Sequence, residues 1–209
     1  MHKKSYNEFI PEWLKNGFLS TLDPIVRLAT RLNVNPNTFT TVSFLIGCAA
    51  TYFIATESLR IAACLILLSG MFDAIDGKVA RHSGKVTKFG ALYDSTLDRY
   101  AEVIIFFGLA FYFIKNGWYL TSVAVAIGLG GSMMVSYVRA RAEGLGFDCK
   151  VGILQRAERL LLLGLGGLIH LYTLVIAIWV IAVLSNVTAI QRIVHIWKKD
   201  QENSKPAGV

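Results

Sequence analysis

The chain has 209 residues, 54% of them hydrophobic and only 17% charged, with a mean hydropathy of +0.51, a profile too apolar for a soluble domain. Its net charge of +7 would suit a nucleic-acid partner, but the basic residues flank long apolar runs, which assigns them to a membrane surface and excludes that partner. Three scattered cysteines, Cys48, Cys64 and Cys149, cannot close a disulfide framework and read as packing residues.

Residues 1–20 carry Lys3, Lys4, Glu8 and Glu12 with no uninterrupted apolar core, so they are not a secretory signal. Ile10, Trp13, Leu14, Phe18, Leu22, Ile25 and Val26 then recur at three- and four-residue spacing. This predicts an amphipathic helix, either lying on the inner leaflet or packed on the protein itself. Asn33 to Asn37 supplies a turn and a helix start. Beyond it, apolar runs predict six membrane helices near 38–56, 60–81, 89–114, 117–141, 157–171 and 173–198. No strong turn signal divides the last two. A single long helix there would put Arg159 and Arg192 on opposite membrane faces, whereas two short crossings keep both on one side. The polar tail after Lys199 is expected to be disordered. The chain thus divides into an interfacial segment (1–36), a six-helix transmembrane domain (37–199) and a cytoplasmic tail (200–209).

Of the 21 Lys and Arg residues, all but Arg60, Arg99 and Lys115 fall within 1–36, 78–88, 139–159 and 192–205. The positive-inside rule therefore puts both termini and the loops at 81–88 and 142–156 in the cytoplasm of a multi-pass protein of the cell (inner) membrane.

Residues 73–98 hold the chemistry. They read Asp73-Ala-Ile-Asp76-Gly77-Lys-Val-Ala80-Arg81, then eight residues, Gly90, three residues, Asp94, three residues and Asp98. Asp73 and Asp76 share one helix face, as do Asp94 and Asp98, so two helices brought together form a cage of hard oxygen ligands. Unpaired, each carboxylate near the bilayer would cost several kcal/mol and the four would repel one another. Divalent cations remove both penalties, and all-oxygen ligation favours magnesium, manganese or calcium over zinc. Gly77 and Gly90 leave room for a flat group against the backbone, and Arg81 offers a fork to a phosphate. A single intramembrane aspartate would suit a helix contact or a proton relay. A cation-coupled transporter is the non-enzyme alternative, but it would set its acids near mid-bilayer on discontinuous helices.

With these residues the sequence resembles the CDP-alcohol phosphotransferase family, whose signature D-x2-D-G-x2-A-R-x8-G-x3-D-x3-D is matched at Asp73, Asp76, Gly77, Ala80, Arg81, Gly90, Asp94 and Asp98. The resemblance implies six membrane helices, a homodimer, a site for two Mg2+ ions with Mn2+ as a possible substitute, and CDP-diacylglycerol as donor, its tails among the membrane lipid. It implies Asp73, Asp76, Asp94 and Asp98 as metal ligands, with Asp98 also the catalytic general base. Asn37, Thr40, Asp73, Gly77, Arg81 and Gly90 are implied to bind the nucleotide.

The acceptor is read from Arg139-Ala-Arg141-Ala-Glu143 and from Gln155-Arg156-Ala-Glu158-Arg159, which with Gln191-Arg192 resemble the bacterial phosphatidylinositol-phosphate synthases of that family. Arg139, Arg159 and Arg192, at cytoplasmic helix ends, are expected to bind the phosphate of a soluble phosphorylated alcohol, an inositol phosphate. As bare interfacial cations they would instead only orient the helices. Glycerol 3-phosphate would want a similar pocket, so phosphatidylglycerophosphate synthesis is the alternative. Arg141 and Arg156 match positions less clearly tied to the acceptor and serve as internal controls.

Overall fold

The computed structural model describes residues 12–203, which form eight helices and, among the described residues, no strand. Two short helices, α1 (Glu12–Thr21) and α2 (Asp23–Arg31), precede α3 (Pro36–Ala55), α4 (Leu59–His82), α5 (Lys88–Lys115), α6 (Tyr119–Gly144), α7 (Arg156–Ile169) and α8 (Leu171–Asn203). The expected amphipathic helix is therefore two helices, broken where Pro24 starts α2; Ile10 lies outside the described residues. α2 carries apolar residues on its buried face and, beside Arg27 and Arg31, on its exposed side. Leu22, Val26 and Ala29 pack on Ile75 and Val79 of α4, while Ile25, Leu28 and Leu32 point outward. Lys78 fastens this contact, donating to the Leu19 carbonyl and to Asp23 at 2.5 Å each, and that bond holds the Asp23 carboxyl below its ordinary range.

Caps set the starts of α3 and α5. Asn35 accepts the Asn37 N–H at 3.0 Å with Pro36 in the first turn, and Thr87 accepts the Gly90 N–H at 2.9 Å. Between α4 and α5 the chain turns through Gly84 at φ +67°, a left-handed position suited to glycine, and Lys85 reaches back to the side chain of Asn33.

One core joins the long helices: Ala50 and Ile54 of α3, Ile66 of α4, Ile105, Phe106 and Phe113 of α5, Leu163 of α7 and Ile178 and Ile181 of α8. The bundle's outer faces carry Leu45, Phe107, Phe111, Leu120, Ile176, Trp179 and Val183, all exposed, which suits contact with hydrocarbon. Without a hydrophobic drive between helices in lipid, close approach matters, and a Cβ at Gly131 of α6 would lie 2.9 Å from the backbone nitrogen of Asn186 in α8.

Three helices, α3, α6 and α8, are long and apolar enough to cross a membrane. In α4 and α5 the windows long enough to span include too many charged residues, among them Asp73, Asp76, Asp94 and Asp98. The break between α7 and α8 falls at His170, extended at φ −165° and ψ 159°, where Thr173 Oγ1 accepts the His170 N–H at 2.9 Å. With 14 residues α7 rises only about 21 Å, shorter than the apolar core of a bilayer. At the other end α8 continues to Asn203, past Lys199, where a disordered tail was expected to begin. Residues 204–209 of that tail lie outside the described ones.

Candidate active site

The site lies where the start of α3, the end of α4 and the start of α5 meet the start of α7. Ligand oxygens of Asp73, Asp76 and Asp94 all fall within 4.8 Å of one another. Asp76 is buried, and its Oδ2 accepts from Thr40 Oγ1 of α3 at 2.8 Å, which aims the carboxylate and explains the buried threonine. Asp94 Oδ1 is buried without a hydrogen-bond partner among the described residues. Three carboxylates so close together, one of them with a buried, unpartnered oxygen, are a costly arrangement that a divalent cation relieves, so the donor set fits a hard metal ion.

Asp98 is not one of that trio but stands beside Asp73. Its Oδ2 accepts from Nη1 of Arg156 at 2.8 Å, and the same nitrogen lies 3.0 Å from Asp73 Oδ2. Sequence reasoning left Arg156 outside the site. Its only sequence signal was its place in the Arg156-Ala-Glu158-Arg159 helix start, 58 residues from Asp98.

The positions expected to hold a nucleotide share this end of the bundle. A Cβ at Gly77 would lie 3.3 Å from Nη1 of Arg81, so the Arg81 fork folds back over the bare glycine. A Cβ at Gly90 would sit 3.3 Å from Asn37 Oδ1 and 2.9 Å from Thr87 Oγ1, so Asn37 and Gly90 face each other closely across α3 and α5. Thr41, on the next turn, accepts from or donates to Tyr93 at 3.0 Å and fixes the same two helices.

The three arginines expected to grip an acceptor phosphate differ in what they have free. Arg139 is half-exposed and paired with Glu143 at 2.8 Å. Arg192 is buried, donating to the carbonyls of Val151 and Val135 at 2.8 and 2.5 Å. Arg159 is 0% exposed, and its fork is taken by Glu102, Nε to Oε1 at 2.7 Å and Nη2 to Oε2 at 3.0 Å. Arg139 and Arg159 lie near Arg192, but each already faces a carboxylate, Glu143 and Glu102 respectively. The sequence expected all three at an acceptor phosphate; here each already has a protein partner. Glu102, a buried acid one turn beyond Asp98, was missed although an intramembrane glutamate is itself a signal.

Residues 33–195 match the family model described as CDP-alcohol phosphatidyltransferase. The archaetidylinositol phosphate synthase of Methanothermobacter thermautotrophicus is 37% identical over 195 residues, covering 89% of this chain and 97% of the relative. The phosphatidylinositol phosphate synthase of Corynebacterium glutamicum is 36% identical, covering 85% and 84%. Among solved structures, the Mycobacterium tuberculosis phosphatidylinositol phosphate synthase with CDP-DAG bound superposes with a TM-score of 0.76 at 28% identity, covering 88% of this chain and 94% of that one. The same enzyme in complex with manganese and citrate gives a TM-score of 0.74.

Proposed function

Because the chain belongs to the CDP-alcohol phosphatidyltransferase family, we propose that it transfers the phosphatidyl group of CDP-diacylglycerol to an inositol phosphate, giving phosphatidylinositol phosphate and CMP. The carrying observation is the convergence of Asp73, Asp76 and Asp94 from two helices, with one Asp94 oxygen buried and unpartnered, at the end of the bundle that also presents Arg81, Gly77 and Gly90. The acceptor follows from the relatives, whose names differ in the lipid and agree on inositol phosphate.

The chain's residues divide the work. Asp73, Asp76, Asp94 and Asp98 hold divalent metal, Mg2+ at two sites with Mn2+ as a substitute, and bound metal would neutralise the diphosphate charge of the donor. Arg81, with Asn37, Thr40, Asp73, Gly77 and Gly90, orients the nucleotide. Asp98 accepts the proton of the attacking acceptor hydroxyl as the new P–O bond forms and the bond to CMP breaks. Arg139, the accessible fork, meets the acceptor phosphate, with Arg159 and Arg192 buried nearby.

This reading sets the long helices α3 to α8 as six spans of the cell membrane, residues 37–199 forming the catalytic domain, with the termini and site cytoplasmic. The outward residues Ile25, Leu28 and Leu32 then lie in the inner leaflet's headgroup layer while the opposite face of α2 stays on α4. The working unit is a homodimer in membrane lipid.

The test is CMP release by the purified protein from CDP-diacylglycerol, with inositol phosphate, inositol, glycerol 3-phosphate and serine side by side. Inositol phosphate is expected to be used best, EDTA to abolish release and Mg2+ or Mn2+ to restore it. Faster turnover with glycerol 3-phosphate would make the chain a phosphatidylglycerophosphate synthase. The 37% identity to an archaetidylinositol phosphate synthase favours a second donor, so an ether-linked CDP-lipid belongs in the same assay. Arg139→Ala is expected to raise KM for inositol phosphate by about tenfold and leave that for the donor unchanged, the size of one lost charge-assisted contact.

A further inference from the structure

We infer that Arg156 is the resident counter-cation of the aspartate cage, a positioning residue that draws Asp73 and Asp98 together and competes with a divalent cation for Asp73. The inference rests on the metal reading above and concerns a residue outside the family signature. One guanidinium nitrogen, Nη1, bridges Asp73 Oδ2 at 3.0 Å and Asp98 Oδ2 at 2.8 Å, tying α4 to α5 across the site, and Nη2 reaches the Asp98 carbonyl at 3.5 Å. All three side chains are largely enclosed, at 19% exposure for Arg156, 26% for Asp73 and 17% for Asp98. Charge pairs so enclosed are screened far less than surface pairs.

The arginine is presented by built structure rather than by a loose loop. It is the first residue of α7, whose start is closed by the Gln155 N–H donating to Glu158 at 2.5 Å. The preceding residue, Leu154, donates its N–H to Thr188 of α8 at 3.1 Å, and one turn later Arg159 is clamped to Glu102. Arg156 is thereby held at its post from three sides.

Competition follows from shared oxygens. Asp73 belongs both to the metal-fitting trio and to the Arg156 bridge, so a cation that recruits Asp73 must weaken a contact the guanidinium already makes. It must also settle beside a fixed positive charge. Removing that charge therefore strengthens cation binding, the opposite of what loss of a merely structural residue does. At the same time, Asp73 and Asp98 lose the guanidinium that bridges them, so the metal-free protein is weakened.

The experiment is Mn2+ titration of purified protein without nucleotide, read by the electron paramagnetic resonance of free Mn2+, alongside thermal unfolding in EDTA and in Mn2+. Arg156→Gln is expected to bind Mn2+ about tenfold more tightly than wild type, the size of one charge-assisted contact. Its melting temperature should fall in EDTA and recover in Mn2+ by more than wild type gains. Arg156→Lys, which keeps charge but reaches only one carboxylate at a time, should fall between, and it carries the test if the glutamine variant does not fold. Arg60→Gln, about 20 Å along α4 from Asp73, controls for loss of a positive charge and should leave Mn2+ affinity unchanged. Unchanged or weaker Mn2+ binding in the Arg156 variants overturns the inference alone. Failure of wild type to bind Mn2+ overturns the metal reading and the inference together.

Discussion

Replacing Glu102 by Gln tests whether Arg159 is a buried structural partner or a phosphate ligand. Glu102 is 1% exposed and Arg159 0%, and the two are joined by hydrogen bonds of 2.7 and 3.0 Å in the fork geometry that makes arginine pairs strong. Glutamine keeps the shape but leaves the guanidinium charged, enclosed and supported otherwise only by the Leu154 carbonyl at 3.5 Å. Breaking a buried pair from one side typically costs about 3–5 kcal/mol, because the remaining charge is uncompensated. Unfolding in detergent should show a loss of that size for Glu102→Gln. The double variant Glu102→Leu/Arg159→Met should lose less than either single change, since no charge is left stranded. Arg159→Met should likewise show most of its effect as lost stability, with KM for inositol phosphate changed far less than in Arg139→Ala. A cost below about 1 kcal/mol for Glu102→Gln, the range of exposed pairs, would mean the pair is solvated and would return Arg159 to the acceptor pocket.

Two further expectations concern the aspartates. Asp98→Asn should cut turnover by about 100-fold or more while donor binding stays measurable by CDP-lipid protection against unfolding; retention of a tenth of wild-type rate would remove the base assignment. Asp76→Asn should raise the Mg2+ concentration needed for half-maximal activity, and Thr40→Val should do so more weakly, because the 2.8 Å hydrogen bond only aims the carboxylate. An unaltered Mg2+ dependence in Asp76→Asn would take that residue out of the ligand set.

The parts of this molecule that were legible in the sequence are those fixed by neighbours along the chain. Asp73 and Asp76, then Asp94 and Asp98, had to share helix faces, and the start of α3 follows from the Asn33 to Asn37 turn. Local spacing also bounded α4 to within a residue at each end, 60–81 against Leu59–His82. The break at His170 was not legible in this way, because neither Gly nor Pro marks it; a Thr173 hydroxyl closes the turn instead. Nor were the partners of the arginines. Arg156 meets Asp98, and Arg159 meets Glu102, across 58 and 57 positions, distances over which no periodicity in one helix carries information.

Those two missed contacts are one device. Asp98 and Glu102 are four apart on α5, Arg156 and Arg159 three apart on α7, and they pair in the same order, acid to base, at 2.8 and 2.7 Å. Residues at these spacings lie on one face of a helix, so an acidic row on α5 faces a basic row on α7. Sliding α7 by one turn would strand a buried charge at Glu102 or Arg159, which the cost of an uncompensated buried ion forbids. The buried pair therefore fixes the register of α7, and that register carries the neighbouring guanidinium of Arg156 onto the carboxylates of the site. This enclosed ion pair thus acts on the chemistry by deciding where the next arginine stands.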